Sequence, residues 1–388
     1  MASEAAAFQF LSIAAHRSIQ KVHQSLTTKL VTRRRKLSQV RMLLQQHAIV
    51  PARKDNTATL ATLPLGTRLL THETESSPDV STTASSDDLL PVDLPDQVYV
   101  KLSAIEAGWI HLPEREFIDP HRSEAVHRCL SLAFIIQHPS TNTKVVYDLG
   151  LRKDISNYPA KIARYLQDGS RTVEIPTDVG ESLKAGGISP SEVDFVILSL
   201  LHYDHTGNPD LFPNSRFIIG PGSLDLLAAN AAGDPEDTWF LPTLLPSDTS
   251  RITEFPDPHS KDSPWRPLAR FPFALDLFSD GSFYIINAPG HVEGHINGLA
   301  RIGPDRWVLL GSDSCHFSSL LDGSCCIAQF SRPDGSMRSV HVDDDAAARH
   351  IQHMRETRDM AGGRVEVVLA HDLERCSKNR DRFLPGRF

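Results

Sequence analysis

The stretch VDFVILSLLHYDHTGNPDLFPNS, residues 193 to 215, changes character halfway along. Val193 to Leu198 is apolar apart from Asp194, the pattern of a strand buried on both faces. His202, Asp204 and His205 follow within four positions, and then Thr206 and Gly207. Titratable side chains at the mouth of a buried strand are held by rigid backbone, and folds carry chemistry at such places. The residue at 200, two positions before the first of these histidines, is an apolar leucine.

Working outward, three more apolar runs end in the same residue types. GSFYIINAPGHVEGH supplies His291 and His295, RWVLLGSDSCHF supplies Asp313 and His316, and VEVVLAHD supplies His371 and Asp372. One histidine after a strand is usually structural, so His202 alone would carry little weight; four strand ends alike do. Imidazole and carboxylate without thiolate suit zinc or a related first-row metal in an open, hydrolytic site. The five cysteines are scattered with no CxxC pair, which argues against a disulfide framework and against a cysteine zinc site. Cys315 reads as a buried small residue, and Trp239 and Trp265 as either cleft-lining or core residues.

The remaining pattern predicts an α/β sandwich with sheet buried between helical layers. QVYVKLSAIEAGWIHL, LSLAFIIQHP, TKVVYDLG and SRFIIG read as further strands. TDVGESLKAGG reads as a helix capped by Thr177 or Asp178, and DDDAAARHIQHMRETRDM as one whose acids precede its bases, as the helix dipole favours. Apart from SRFIIG, the Pro-rich insertion between Gly207 and Gly281 offers no assignable element. Residues 1–90 stand apart. No acid occurs from Ala5 to Lys54, where ten Lys and Arg fall, and residues 71 to 90 are Ser/Thr/Asp-rich. Residues 1–90 are therefore expected to be a disordered leader and linker, with the folded domain at 91–388. A cytoplasmic protein is the default, and a mitochondrial one the alternative, since Arg-rich, acid-poor leaders address that organelle. The net charge of -8 gives no basis for a nucleic-acid partner. No apolar run approaches the ~20 residues of a membrane span, so no membrane partner is expected.

LHYDHTG, APGHVEGH, GSD and LAHD together resemble the metallo-β-lactamase superfamily in order and spacing, and most closely its N-acyl-homoserine lactonase branch. The resemblance spans roughly residues 94 to 376. It implies an αββα sandwich with up to two zinc ions at the edge of the sheets. His202 and His291 would bind the first ion, Asp204, His205 and His371 the second, and Asp313 would bridge them. A hydroxide between the ions would attack an acyl carbon, and Asp204 or a group behind it would protonate the leaving atom. Asp148 and His295 would support ligand histidines. His316 stands where the lactonases carry a tyrosine that assists the carbonyl oxygen, and imidazole can donate the same hydrogen bond. The family motif HxHxDH places its first histidine at 200, where this chain has Leu200. Three readings follow: a working lactone or ester hydrolase with an altered first site, a one-metal enzyme, or a lapsed fold acting as a binding protein. Thioester or lactam hydrolysis is the neighbouring alternative. The expected partner is a small acyl substrate.

Overall fold

The computed structural model describes residues 90–388 apart from 122–123, 332–336 and 373–377. Nearly all of the basic leader expected at 1–90 lies outside the described residues, as does Cys376. The first sheet contains β1 (Lys101–Pro113), β2 (Val126–His138), β3 (Thr143–Tyr147), β4 (Val173–Glu174), β5 (Phe195–Leu198), β6 (Arg216–Ile219) and β7 (Ile252–Glu254). Its order is β4-β1-β2-β3-β5-β6-β7. β1, β2 and β3 pair antiparallel, and β3, β5, β6 and β7 pair parallel.

The second sheet contains β8 (Arg266–Leu268), β9 (Phe271–Asp276), β10 (Phe283–Asn287), β11 (Ile296–Gly303), β12 (Arg306–Ser312) and β13 (Val365–Leu369). Its order is β13-β12-β11-β10-β9-β8, antiparallel except for the parallel β12–β13 pair. The longer helices are α1 (Ala160–Gln167), α2 (Val179–Ala185), α3 (Ser223–Ala231) and α4 (Asp344–Met360).

Apolar contacts divide into layers that explain the strand patterns. Leu132, Phe134 and Ile197 of the first sheet meet Ile285, Val308 and Leu310 of the second in a shared core. The opposite face of the first sheet, including Val146, Val196 and Ile219, packs with Val179 and Leu183 of α2 and Leu227 of α3. The outer face of the second sheet, with Leu309, Val367 and Leu369, packs with Ile351 and Met354 of α4. Both faces of each sheet are therefore covered, and β5 is buried at all four positions, which is why FVIL shows no polar alternation. Each large aliphatic side chain buried this way contributes about 1.5–3 kcal/mol. The result is the expected αββα sandwich.

Details depart from the sequence reading. Beyond β6, which SRFIIG announces, the segment Gly207–Gly281 holds α3, β7, β8 and β9 rather than irregular chain. Its strands mostly run three to four residues, too short to display a period of two. β11 was also illegible, because INGLARIG carries two glycines and a buried arginine. That arginine, Arg301, bonds Gln97 at 2.6 Å and Asp93 at 2.8 Å and so ties residues 93–97 to the second sheet. The cap of α2 is Asp178, not Thr177, in a reciprocal capping box with Glu181, an arrangement worth about 1 kcal/mol. At one sheet edge the layers are stitched together: Tyr147 Oη donates to Ile296 O at 2.9 Å, and Ile296 N to Ser199 O at 2.8 Å. No helix among the described residues is long and apolar enough to cross a membrane.

Candidate metal centre

The chain leaves β5 through Ser199 and turns sharply after His202, with one helical turn at Tyr203–Thr206. Two backbone bonds lock that turn onto the end of β3: Leu149 N donates to His205 O at 2.8 Å and Gly207 N to Gly150 O at 2.9 Å. Gly207 has φ +46°, and a Cβ there would lie 2.6 Å from both Leu149 Cβ and Leu149 O. The glycine of HTG is thus required by a left-handed backbone and a close approach.

Four strand ends converge here. Asp313, just past β12, lies at the middle. Its Oδ2 is 3.3 Å from His205 Nε2, 3.3 Å from His291 Nε2 and 3.4 Å from His316 Nε2, while its Oδ1 is 3.3 Å from His371 Nε2. His371 Nε2 is also 3.4 Å from Asp204 Oδ2, and His291 Nε2 is 3.0 Å from His202 Nδ1. Two groups result, each with its donor atoms within 4.8 Å of one another: Asp204, His205, Asp313 and His371, and then His202, His291 and Asp313. All are buried except His202, which is half-buried. His205 Nε2 and Asp313 Oδ1 have no hydrogen-bond partner although they are buried. Buried donor atoms are rarely left unmatched. The unmatched lone pairs of His205 Nε2 and Asp313 Oδ1, crowded among further donor atoms, are what a cation would satisfy, so the residues fit a metal ion.

The outer nitrogens are spoken for. His205 Nδ1 bonds Asp148 Oδ2 at 2.9 Å, and the other oxygen of Asp148 accepts from Ser199 N at 2.7 Å. His371 Nδ1 donates to Leu130 O at 2.9 Å. Carbonyl and carboxylate oxygens only accept, so both imidazoles carry their proton outside and present Nε2 inward. Leu200 is buried, with 1% exposure, and supplies no donor.

Electrostatics divides the same residues. Burial opposes charge on His371, yet Asp313 and Asp204 raise its imidazole to about 9. His205 is likewise raised well above the ordinary value by Asp313 and Asp148, against the effect of burial. Asp313 is held well below the carboxylate range, burial notwithstanding, by His205, His316 and His371. His202 goes the other way, to about 3, through burial and the neighbouring His291.

His316, three positions past Asp313, is buried rather than on a surface loop, with Phe117 at 4.6 Å ring to ring and its ring stacked on His371. His295 lies 5.6 Å ring to ring from His291, and its Nε2 has no hydrogen-bond partner. Cys315 is buried, and burial pushes its thiol far up. Trp265 is a core residue bonded to Pro256 O, and Trp239 packs edge-on to Tyr165. Sequence reasoning missed Phe240, which stacks on His202 at 5.5 Å, and His341, whose Nδ1 is 3.2 Å from His291 Nδ1. Neither sits in a motif. Their only sequence signal was residue type, because long-range packing brings them here.

Comparison with known proteins gives consistent relatives. No family model matches the chain. A γ-lactamase, FDB1 of Fusarium pseudograminearum, is 33% identical over 198 residues, covering 48% of this chain and 45% of that protein. The metallo-hydrolase mfmC of Annulohypoxylon moriforme is 30% identical over 317 residues, covering 72% of this chain and 80% of that one. The solved structure of an N-acyl homoserine lactone hydrolase with N-hexanoyl-L-homoserine at its catalytic metal centre superposes with a TM-score of 0.54 at 16% identity. It covers 75% of this chain and 100% of that one. The chain spans less than half the length of several curated relatives that it matches.

Proposed function

Because the chain belongs to the metallo-β-lactamase superfamily of metallo-hydrolases, we propose that it opens a cyclic acyl bond, a lactone or a γ-lactam, with a two-metal centre. One observation carries this reading: donor atoms from four separate strand ends form two groups that share Asp313. His202, His291 and Asp313 would hold one ion, and Asp204, His205, His371 and Asp313 the other. Nitrogen and oxygen donors without thiolate favour zinc. Bound there, the metal supplies a Lewis acid that ionises water near neutral pH and polarises the acyl carbonyl.

The chain's own residues do the rest. Asp148 and Leu130 O fix His205 and His371 in the tautomer that leaves Nε2 free inward. His316, its Nε2 at 3.4 Å from Asp313, donates a hydrogen bond to the oxygen that gains charge as the acyl carbon becomes tetrahedral. Asp204 takes a proton from the attacking water and returns it to the oxygen or nitrogen that leaves as the ring opens. Phe240 against His202 and Phe117 against His316 give the centre apolar neighbours suited to an acyl or aryl portion of the substrate. γ-Lactams enter the substrate class because two of the chain's relatives are named as γ-lactamases.

The unit proposed to perform this reaction is residues 91–388, in the cytoplasm, with the mitochondrion the alternative through the basic leader. Leu200 favours a second reading, a fold that has kept its shape and lost turnover. Metal analysis of the purified protein with a panel of lactones and γ-lactams separates the two. The first reading expects zinc together with turnover that chelation abolishes; full turnover in zinc-free protein, or zinc without turnover of any panel member, sinks it.

A further inference from the structure

An additional imidazole stands behind His291, outside the donor groups. His341 is buried, with 7% exposure, and its ring meets that of His291 edge-on at 5.1 Å between centroids. The contact is built by backbone. Val342 N donates to Gly290 O at 3.0 Å and to His291 O at 3.1 Å, and Asp343 N to Gly290 O at 2.9 Å. Asp343 in turn caps α4 by accepting from Ala346 N at 2.9 Å, and His341 N donates to Ser339 Oγ at 2.8 Å. Gly290 permits the approach: its φ is +123°, and a Cβ there would lie 2.2 Å from Ala347 N. The start of α4 and the turn after β10 are thereby clamped together with the two imidazoles face to Nδ1 face.

Two neutral imidazoles that meet through Nδ1 share one proton between those atoms. If His341 donates, His291 must carry its own proton on Nε2, and that atom is closed to a metal. If His291 donates, its Nε2 lone pair stands free beside His202 and Asp313. We propose that His341 is a positioning residue: it accepts from His291 Nδ1, holds His291 in the metal-binding tautomer and angle, and so sustains the first ion site, where Leu200 has removed an imidazole. This rests on the metal-centre reading above. His341 then plays for the first site the part that Asp148 and Leu130 O play for the second. Its own Nε2 is buried with no hydrogen-bond partner, an unmet polar atom that packing alone gives no reason to keep.

The test is a zinc titration of the full chain against a chromophoric chelator, resolving two affinities, with the second site identified by its weakening in Asp148→Ala. His341→Ala should weaken only the first site, by about 10–100-fold. His341→Asn, which offers an acceptor near the Nδ1 position, should restore most of that loss, whereas His341→Phe, a ring without an acceptor, should not. Thermal melts in chelator check that the variants fold, and the Asn and Phe variants carry the comparison if Ala does not. A parent that binds no zinc overturns the metal-centre reading itself. A parent with two sites, whose first affinity is unchanged in His341→Ala or equally reduced in the Asn and Phe variants, overturns the role of His341 and leaves the centre standing.

Discussion

The two donor groups share Asp313 yet are built differently. Around His205 and His371 every member is buried, and each imidazole is oriented by an oxygen that can only accept. Around His202 and His291 the wall is half-open, one motif position is Leu200, and the outer partner of His291 is another imidazole, which can donate or accept. The first arrangement fixes a tautomer through geometry alone. The second fixes it only through the direction in which His341 and His291 share their proton. The comparison teaches that a ligand set is specified less by its inner atoms than by the groups behind them.

Four measurements can break or sharpen this contrast. The largest effect belongs to the shared residue: Asp313→Ala should remove both zinc ions and lower turnover by roughly 10³-fold or more, as metal analysis and kinetics would record. Zinc retained in either site would mean that the groups are not joined through Asp313.

Asp148→Ala comes next. It should weaken zinc in the second site by about 10–100-fold and spare the first. It should also lower the melting temperature of chelated protein, since it strips a partner from a buried, charged pair; breaking such a pair costs about 3–5 kcal/mol. Equal weakening of both sites would erase the distinction.

The pH dependence should differ as well. With no ion bound, His371 at about 9 carries a second proton, on Nε2, at neutral pH, whereas His202 at about 3 carries only the single proton of a neutral imidazole. An ion entering the second site must displace that proton, so affinity there should rise with pH by at least about tenfold per unit below pH ~9. The sign follows because a raised pKa favours the protonated, metal-free form until pH passes it. Chelator competition at pH 6, 7 and 8 should show a steeper slope for the second site than for the first; parallel slopes would count against the assignment.

The smallest effect is expected from Leu200→His. Restoring an imidazole should tighten the first ion by about tenfold and leave the second unchanged, as read by the same titration. No change would mean that residue 200 does not face the first site.

The candidate donor residues were largely legible because each follows an apolar run. His202, Asp204 and His205 follow FVIL, Asp313 follows WVLLGS, and His371 follows VEVVLA. The rest was hidden for a physical reason. His341 and Phe240 lie 50 and 38 residues from the histidines they touch, in segments whose local pattern encodes only a loop. Likewise β7 and β8 were lost in a Pro-rich insertion, since three-residue strands acquire their identity from sheet partners and not from their own period.

By itself, then, the sequence determined the layered sandwich, through apolar runs that must be covered on both faces, and the residue types gathered at its edge, through their places after those runs. Only the tertiary structure decided which nitrogen of His205 and His371 turns inward, which oxygen or imidazole stands behind each histidine, and that Leu200 is buried. Those outcomes depend on contacts between segments far apart in the chain. No local pattern stores them, because the free energy of each contact exists only once both sheets are packed.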